Sequence, residues 1–305
     1  MIFVYEGKDI TSYIDVKKCI HRDVSGGRSD CAEIECEHSG RWFGWEPKTG
    51  DKIRIIQDNY DSGILYINTI LPEGGRYRML ATSAPGNAGV MRWQGFREMT
   101  LGEIMRACAA ELNMDWGLYG IHENHKYPYL MRRNEGWLAF LDRLMEMEGA
   151  VLKCVNGKIT GIGIEYAQAL EASQTITISS TQDGALYRNM EATKLASITI
   201  STPYAQGSAA DASAAGRAEI TISDLPAMDN IQAKRWARGL LISRNRQAER
   251  LEIETDLNTS LTAMTRIDID GDTPASGKWL VDEVEHDLKG QRSSAQLLRL
   301  MERIT

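Results

Sequence analysis

The stretch GILYINTI at residues 63–70 has a pattern of residue types similar to that of GKWLVDEV at residues 277–284. Each copy is a run of mostly apolar residues behind a glycine, the pattern of a β-strand that follows a turn. When the two glycines are aligned, Ile53 falls on Ile267 and Ile55 falls on Ile269. We therefore predict that the first and last parts of the chain are copies of one small β-barrel.

Residues 1–84 are predicted to be short strands joined by turns. Ala32, Ile34 and Cys36 alternate with three glutamates, which is the period-two signature of a half-buried strand. Further strands follow the turn pairs Gly50-Asp51 and Gly74-Gly75. Turn signals at intervals of roughly ten residues are typical of a small barrel or sandwich.

Residues 85–166 are predicted to be a small α+β domain. Thr100 and Glu103 have the spacing of a capping box at the start of one helix. A second helix is expected to begin near Asn134 and to end at Gly149. The pair Asn156-Gly157 suits the tight turn of a β-hairpin.

Residues 167–305 are predicted to form the second barrel, with one helix at 229–247 and a flexible loop at 205–216. The helix has a buried face made of Ala233, Trp236, Ala237, Leu240 and Leu241. Lys234, Arg235 and Arg238 lie off that face and are expected to face solvent or another subunit. The expected fold is therefore mainly β, with two similar small β-barrel domains flanking or supporting a helical α+β domain.

Charge and cysteine content exclude several classes of protein. The 305 residues carry 35 Lys and Arg against 42 Asp and Glu, a formal net charge of −7. An acidic surface disfavours specific nucleic-acid binding. The five cysteines follow no disulfide framework and form no C-x-x-C zinc pair. Residues 1–6 predict no signal peptide, and no apolar run reaches the ~18 residues of a membrane span, so we expect no membrane insertion.

The candidate metal and cofactor motifs are incomplete. Asp268, Asp270 and Asp272 resemble the start of a calcium loop, but its sixth and twelfth positions hold Thr273 and Trp279. Gly161 and Gly163 form a G-x-G pattern, but Tyr166 stands where a dinucleotide fingerprint has its third glycine. His122 and His125 have no third or fourth metal ligand that the sequence identifies. We predict no cofactor and no metal.

The candidate catalytic residues are equally isolated. His286 lies on a predicted strand, and no recognisable nucleophile motif accompanies it. Glu146 and Glu148 could serve as a glycosidase pair, but two residues apart on a helix they diverge and are expected to be solvated. We predict no catalytic residues.

Trp42, Phe43 and Trp45 form an aromatic cluster in a predicted loop. Clustered aromatic side chains stack on sugars or anchor a partner protein, and they also pack the end of a barrel. Both interpretations remain open from the sequence.

The order of these parts resembles the late control protein D family of phage tail proteins. Relatives of that family include the hub of myophage baseplates and the front part of type VI spike proteins. The resemblance rests on the arrangement of residues 50–70, 91–104, 134–150, 233–245, 277–286 and 294–299. It implies a structural hub, and the family has no catalytic residues to transfer onto this chain.

The resemblance also implies partners. Such hubs are homotrimers in which two barrels per chain make a ring of six, below a six-fold tail tube and above a three-fold spike, among other baseplate proteins. The particle would be a phage tail or a phage tail-like bacteriocin, assembled in the bacterial cytoplasm and released by lysis. The alternatives are a carbohydrate- or receptor-binding tail module and a tail-associated cell-wall hydrolase.

Overall fold

A computed structural model of the chain describes residues 1–37, 47–178, 185–271, 273–302 and residue 304, without the side chain of Glu73. These residues are mainly β, with the helices concentrated in the middle of the chain, so the predicted fold class is confirmed. No helix in the described part of the chain is long and apolar enough to cross a membrane.

The strands of the first half of the chain are β1 Ile2–Tyr5, β2 Lys8–Asp9, β3 Asp15–Val24, β4 Cys31–Glu37, β5 Lys52–Gln57, β6 Tyr60–Asp61, β7 Leu65–Glu73, β8 Arg76–Thr82, β9 Arg92–Thr100, β10 Asp115–Tyr119 and β11 Lys126–Glu135. Those that follow are β12 Ala150–Val155, β13 Lys158–Gly163, β14 Thr175–Thr177, β15 Leu186–Asn189, β16 Leu195–Ser201, β17 Gln206–Ala210, β18 Ala218–Ile222, β19 Glu249–Asp256, β20 Arg266–Asp270, β21 Gly277–Asp287 and β22 Arg292–Arg299. The α-helices are α1 Leu101–Leu112, α2 Trp137–Met147, α3 Ile164–Ala169 and α4 Asn230–Asn245.

One long sheet runs through both ends of the chain. Its strand order is β15-β19-β22-β21-β3-β4-β8-β7-β5-β1-β2, with β6 beside β5, β20 beside β21 and β14 beside β20. We call β1–β8 the first half-sheet, and β14, β15 and β19–β22 the second half-sheet. Strand pairing among the described residues does not close either half-sheet into a barrel.

Each half-sheet has its own hydrophobic core. The first contains Ile34, Leu65 and Ile67, and the second contains Trp279 and Val281. In β4 the burial alternates residue by residue, with Ala32, Ile34 and Cys36 inside, as the sequence pattern predicts. Separate cores let each half-sheet fold around its own apolar face.

The middle of the chain surrounds a third core. The capping box of Thr100 and Glu103 opens α1, and Gly149 takes the left-handed conformation just after α2 (φ +70°), as predicted. Asn156 and Gly157 form the turn between β12 and β13, both with positive φ. The helix predicted to begin near Asn134 begins at Trp137, because β11 continues to Glu135.

Residues 195–245 also belong to this third core, which corrects the prediction that they are part of the second barrel. Ile198, Ile200 and Trp236 pack with the helices of the middle region. Residues 206–210, which were expected to lie in a flexible loop, form β17 against β16. The small residues there allow close packing: a Cβ on Gly207 would lie 2.2 Å from the backbone nitrogen of Lys234 in α4.

Candidate functional site: the joint between the two half-sheets

The two half-sheets pair their central strands in the same register. Ile53 of β5 lies opposite Leu65 of β7, and Ile267 of β20 lies opposite Trp279 of β21. These are the positions that the alignment of the two glycines equates. The register is therefore repeated residue by residue, which chance similarity of two short strands does not produce.

The irregularities repeat as well. The register shifts between Ile67 and Thr69 where β7 pairs with β8, and between Val281 and Glu283 where β21 pairs with β22. A β-bulge bends its strand, so bulges at equivalent positions impose the same bend in both copies.

The backbone contacts beside the bulge are also the same. The Ile67 N–H donates to the Asp51 carbonyl (2.9 Å), and the Ile67 carbonyl accepts from the Gly50 N–H (2.7 Å). In the second copy Val281 N donates to Thr265 O (2.9 Å), and Met264 N donates to Val281 O (2.8 Å). Gly50 and Met264 both have positive φ, at +96° and +67°.

The strand order completes the comparison. The first half-sheet runs β5-β7-β8-β4-β3, and the second runs β20-β21-β22-β19-β15. Strands that come at the same place in the chain order of the two copies also occupy the same place in their sheet order. The internal repeat that the sequence suggested is thus present in strand order, register and bulge position.

The two copies meet at one antiparallel joint, formed by residues 20–24 of β3 and residues 283–287 of β21. Arg22 forms an ion pair with Glu285 across the joint, and Arg28 forms one with Glu283 at 3.0 Å. Both arginines are well exposed, so these pairs contribute little to stability. The backbone ladder is the main connection.

A buried charge cluster lies beside the joint. Lys153 of β12 is 9% exposed and binds Asp23 and Asp30, the latter at 3.2 Å. Asp23 also accepts from Ala263 N (3.0 Å). Burial works against the ammonium, but the two carboxylates outweigh it and raise the pKa of Lys153. Burial raises the pKa of Asp30 to about 6, since one lysine faces two carboxylates.

This cluster ties the middle region to both half-sheets. Asp23 lies on β3 of the first half-sheet, and Ala263 precedes β20 of the second. Sequence reasoning missed it. The available signal was a lysine inside the apolar strand at 151–155, but nothing in the sequence identifies its partners.

His286, the sequence candidate for an acid or base, is fully buried on the joint. Its Nδ1 lies 2.9 Å from Ser293 Oγ, and its Nε2 lies 3.1 Å from Leu261 O. Burial lowers its pKa, and burial lowers the pKa of His21, directly opposite, to about 4. Tyr60 contacts both rings and hydrogen-bonds to His21. All three side chains are at most 8% exposed, so they lie in the interior of the protein.

The other candidates that fall within the described part of the chain are not assembled into a site. Asp268 and Asp270 lie on β20, and Asp272 lies outside the described residues. His122 and His125 have ring centroids 5.6 Å apart. Among the residues that the structure describes, no group of three or more His, Cys, Asp or Glu is arranged to hold a metal ion. Trp42, Phe43 and Trp45 all lie outside the described residues.

The expectation that Glu148 is solvated is wrong. Its side chain is fully buried (0% exposed), and it lies at the end of α2. Four side chains bind its carboxylate: Tyr127 at 2.9 Å, His125 at 3.1 Å, and Arg235 and Trp236 at 2.7 Å each. Burial alone would raise its pKa, but the His125 hydrogen bond and the Arg235 charge lower it to about 2.

The basic face of α4 is likewise partly internal. Arg235 pairs with Glu148, and Arg238 pairs with Glu165 at 2.6 Å. The expectation that all three basic residues face solvent or another subunit therefore does not hold for Arg235, whose side chain is only 21% exposed. Arg235 and Arg238 of this helix thus form ion pairs with acidic residues that are distant in sequence.

Burial also protects the cysteine thiols, and we expect at most one of them to react quickly in the native chain. Burial raises the pKa of Cys19, Cys36 and Cys108 to about 12 and that of Cys154 to about 11. Only Cys31 is partly exposed. An aromatic disulfide reagent at about pH 8 should titrate one thiol fast and all five after denaturation. The control variant Cys31→Ser should abolish the fast reaction; two or more fast thiols in the native chain would contradict this burial.

Solved structures provide the decisive comparison. The chain resembles a tail protein of Neisseria meningitidis with a TM-score of 0.77 at 11% identity, over 98% of this chain and 95% of that one. It resembles the 43 kDa tail protein of prophage MuSo2 from Shewanella oneidensis with a TM-score of 0.73 at 11% identity, over 98% and 97%. The chain has the fold of phage tail proteins.

A third structure with this tail-protein fold is a component of the type VI secretion system of E. coli, with a TM-score of 0.66 at 12% identity, over 98% of this chain and 77% of that one. No protein-family model matches the sequence, and no curated protein matches it significantly. The three-dimensional comparison thus finds the tail-protein fold at 11–12% identity, where neither the family models nor the curated proteins match.

Proposed function

We propose that this chain is a structural hub of a phage tail or contractile injection particle, such as a phage tail-like bacteriocin. In this role it joins a six-fold tail tube to a three-fold spike as a homotrimer and contacts other baseplate proteins. The observation that carries the proposal is the repeat of strand order, register and bulge between the two half-sheets. The tail-protein fold supports it.

The repeat matters because of symmetry. Three copies of a chain with two like half-sheets present six like units around one axis, while the chain itself repeats only three times. Closed cyclic assembly also covers exposed strand edges, which are a hazard for a β-rich protein. Each chain would need to bury well over ~1,000 Å² against its neighbours to make a stable ring. Such a protein functions through its stable contacts with neighbouring subunits, and we propose no catalytic step for it.

The oligomeric state tests this proposal. Light scattering on the purified chain is expected to give three times its mass of 34.1 kDa. Negative-stain images of the same sample should show rings with an open centre and a pseudo-six-fold outline. Trp45→Ala should leave this trimer intact. A chain that stays monomeric beside its neighbouring tail proteins, and that binds cell-surface glycans only when Trp45 is present, would instead favour the carbohydrate- or receptor-binding module.

A further inference from the structure

The joint between the half-sheets has a counterpart, β15 and β7, whose strands are not paired with each other in the described part of the chain. We infer that β15 of one copy pairs with β7 of a second copy of this chain, antiparallel, with Arg188 opposite Leu71. This inference rests on the proposed ring and names the strands and the register that close it.

The repeat defines which residues are equivalent. Ile67 and Val281 are equivalent, so the residues paired with them on the next strand, Ala81 and Leu297, are equivalent too. The same step across the following strands equates Ala32 with Leu251 and then His21 with Tyr187. β3 therefore corresponds to β15, and β21 corresponds to β7. Within the chain, β3 pairs with β21.

If β15 and β7 pair as their equivalents β3 and β21 do, the register between them is determined. The joint sets residues 20–24 against residues 283–287. The equivalent segments are residues 186–190 and residues 69–73. Arg22 lies opposite Glu285 in the joint, and the same position in the second pairing holds Arg188 opposite Leu71.

Both segments have an open edge in the described part of the chain. There, β15 pairs only with β19, and residues 69–73 pair only with β8. Met190 N donates inward to Ala248 O (2.6 Å), so the alternate residues Tyr187 and Asn189 direct their backbone groups outward. An unpaired edge of this kind is a template for another strand.

The backbone of β7 presents the complementary pattern. Residues 73 and 76 flank the two-residue turn at 74–75 and bond to each other, so Ile70 and Pro72 face outward. In the inferred register these residues lie opposite Asn189 and Tyr187. Pro72 has no N–H, so the ladder lacks one bond there, but its carbonyl can accept from the Tyr187 N–H.

The exposed side chains support the same register. Leu71 is 42% exposed and Leu186 is 47% exposed. They would lie diagonally on one face of the completed sheet, within reach of each other. Pairing thus covers an exposed leucine on each of the two edges, which favours a second copy of this chain over an unrelated partner.

Cysteine cross-linking tests the register. Leu71 and Arg188 would be a non-hydrogen-bonded pair with Cα atoms about 4.5 Å apart, which lies within the disulfide range. Mild oxidation of the double variant Leu71→Cys/Arg188→Cys should produce a covalent trimer on a denaturing gel, and reductant should return it to single chains. Each single variant should remain uncross-linked.

A shifted pair and the wild-type mass separate the possible failures. The variant Leu71→Cys/Asn189→Cys places the thiols on opposite faces and should not cross-link. Three outcomes would overturn the pairing and leave the hub proposal standing, provided that light scattering shows a trimer. They are no cross-linked product from Leu71→Cys/Arg188→Cys, a product from the shifted pair alone, and a disulfide that forms inside one chain. A wild-type chain that stays monomeric even beside its neighbouring tail proteins would overturn both.

Discussion

Replacing Glu148 with alanine is expected to lower the free energy of unfolding by about 3–5 kcal/mol, the cost of removing one partner from a buried ion pair. Arg235 would lose its carboxylate, and the Trp236 indole and Tyr127 hydroxyl would lose their acceptor. Chemical denaturation followed by tryptophan fluorescence measures the loss. Glu146→Ala, an exposed glutamate on the same helix, is the matched control and should change stability by less than about 0.5 kcal/mol.

Acid provides a second readout of the same carboxylate. The pKa of Glu148 is lowered from 4.5 to about 2 in the folded chain, so its contribution is present above the unfolded pKa and is lost as the pH falls towards the folded one. The stability gap between wild type and Glu148→Ala should therefore narrow by about 3 kcal/mol between about pH 5 and about pH 2. Equal stability of the Glu148 and Glu146 variants at neutral pH would show that the network does not hold α4 in place.

Gly239→Ala should destabilise the chain by about 3 kcal/mol or more, although alanine in a helix interior normally stabilises by about 1 kcal/mol. A Cβ there would lie 2.0 Å from Met147 O and 2.5 Å from Gly149 N. Backbone atoms cannot move aside as a flexible side chain can, so α4 would have to shift away from the end of α2. The melting midpoint should fall by roughly 5–10 °C.

Gly86→Ala is the control for this second variant, because an added Cβ at Gly86 meets no atom within 4 Å. It should melt close to wild type. A Gly239→Ala chain that is as stable as the Gly86→Ala chain would mean that α4 does not pack against the end of α2 at this distance.

Much of the local structure could be predicted because its cause is local. The capping box at Thr100, the positive-φ glycine at Gly149 and the Asn156-Gly157 turn depend on a few neighbouring dihedral angles and hydrogen bonds. Period-two burial in β4 follows from the geometry of a strand. The repeat between residues 63–70 and 277–284 was visible because both copies face the same packing problem in the same register.

The site depended on contacts between residues far apart in the chain. Lys153 and Asp23 are 130 residues apart, and Arg235 and Glu148 are 87 residues apart. The sequence indicates a charge on an apolar strand or at a helix end, but only the fold decides whether a partner of opposite charge is beside it. That is why Glu148 was predicted to be solvated and is buried.

The sequence by itself thus determined the β-rich class, the helices of the middle and the existence of two copies of one unit. Only the tertiary structure decided that the copies meet along β3 and β21 and that residues 195–245 join the helical core. It also decided that residues 69–73 of β7 and strand β15 keep an open edge within the described chain. The reason is physical: the periodicity of side chains fixes which face of an element is apolar, whereas burial of a charge and pairing of an edge depend on which other element covers it.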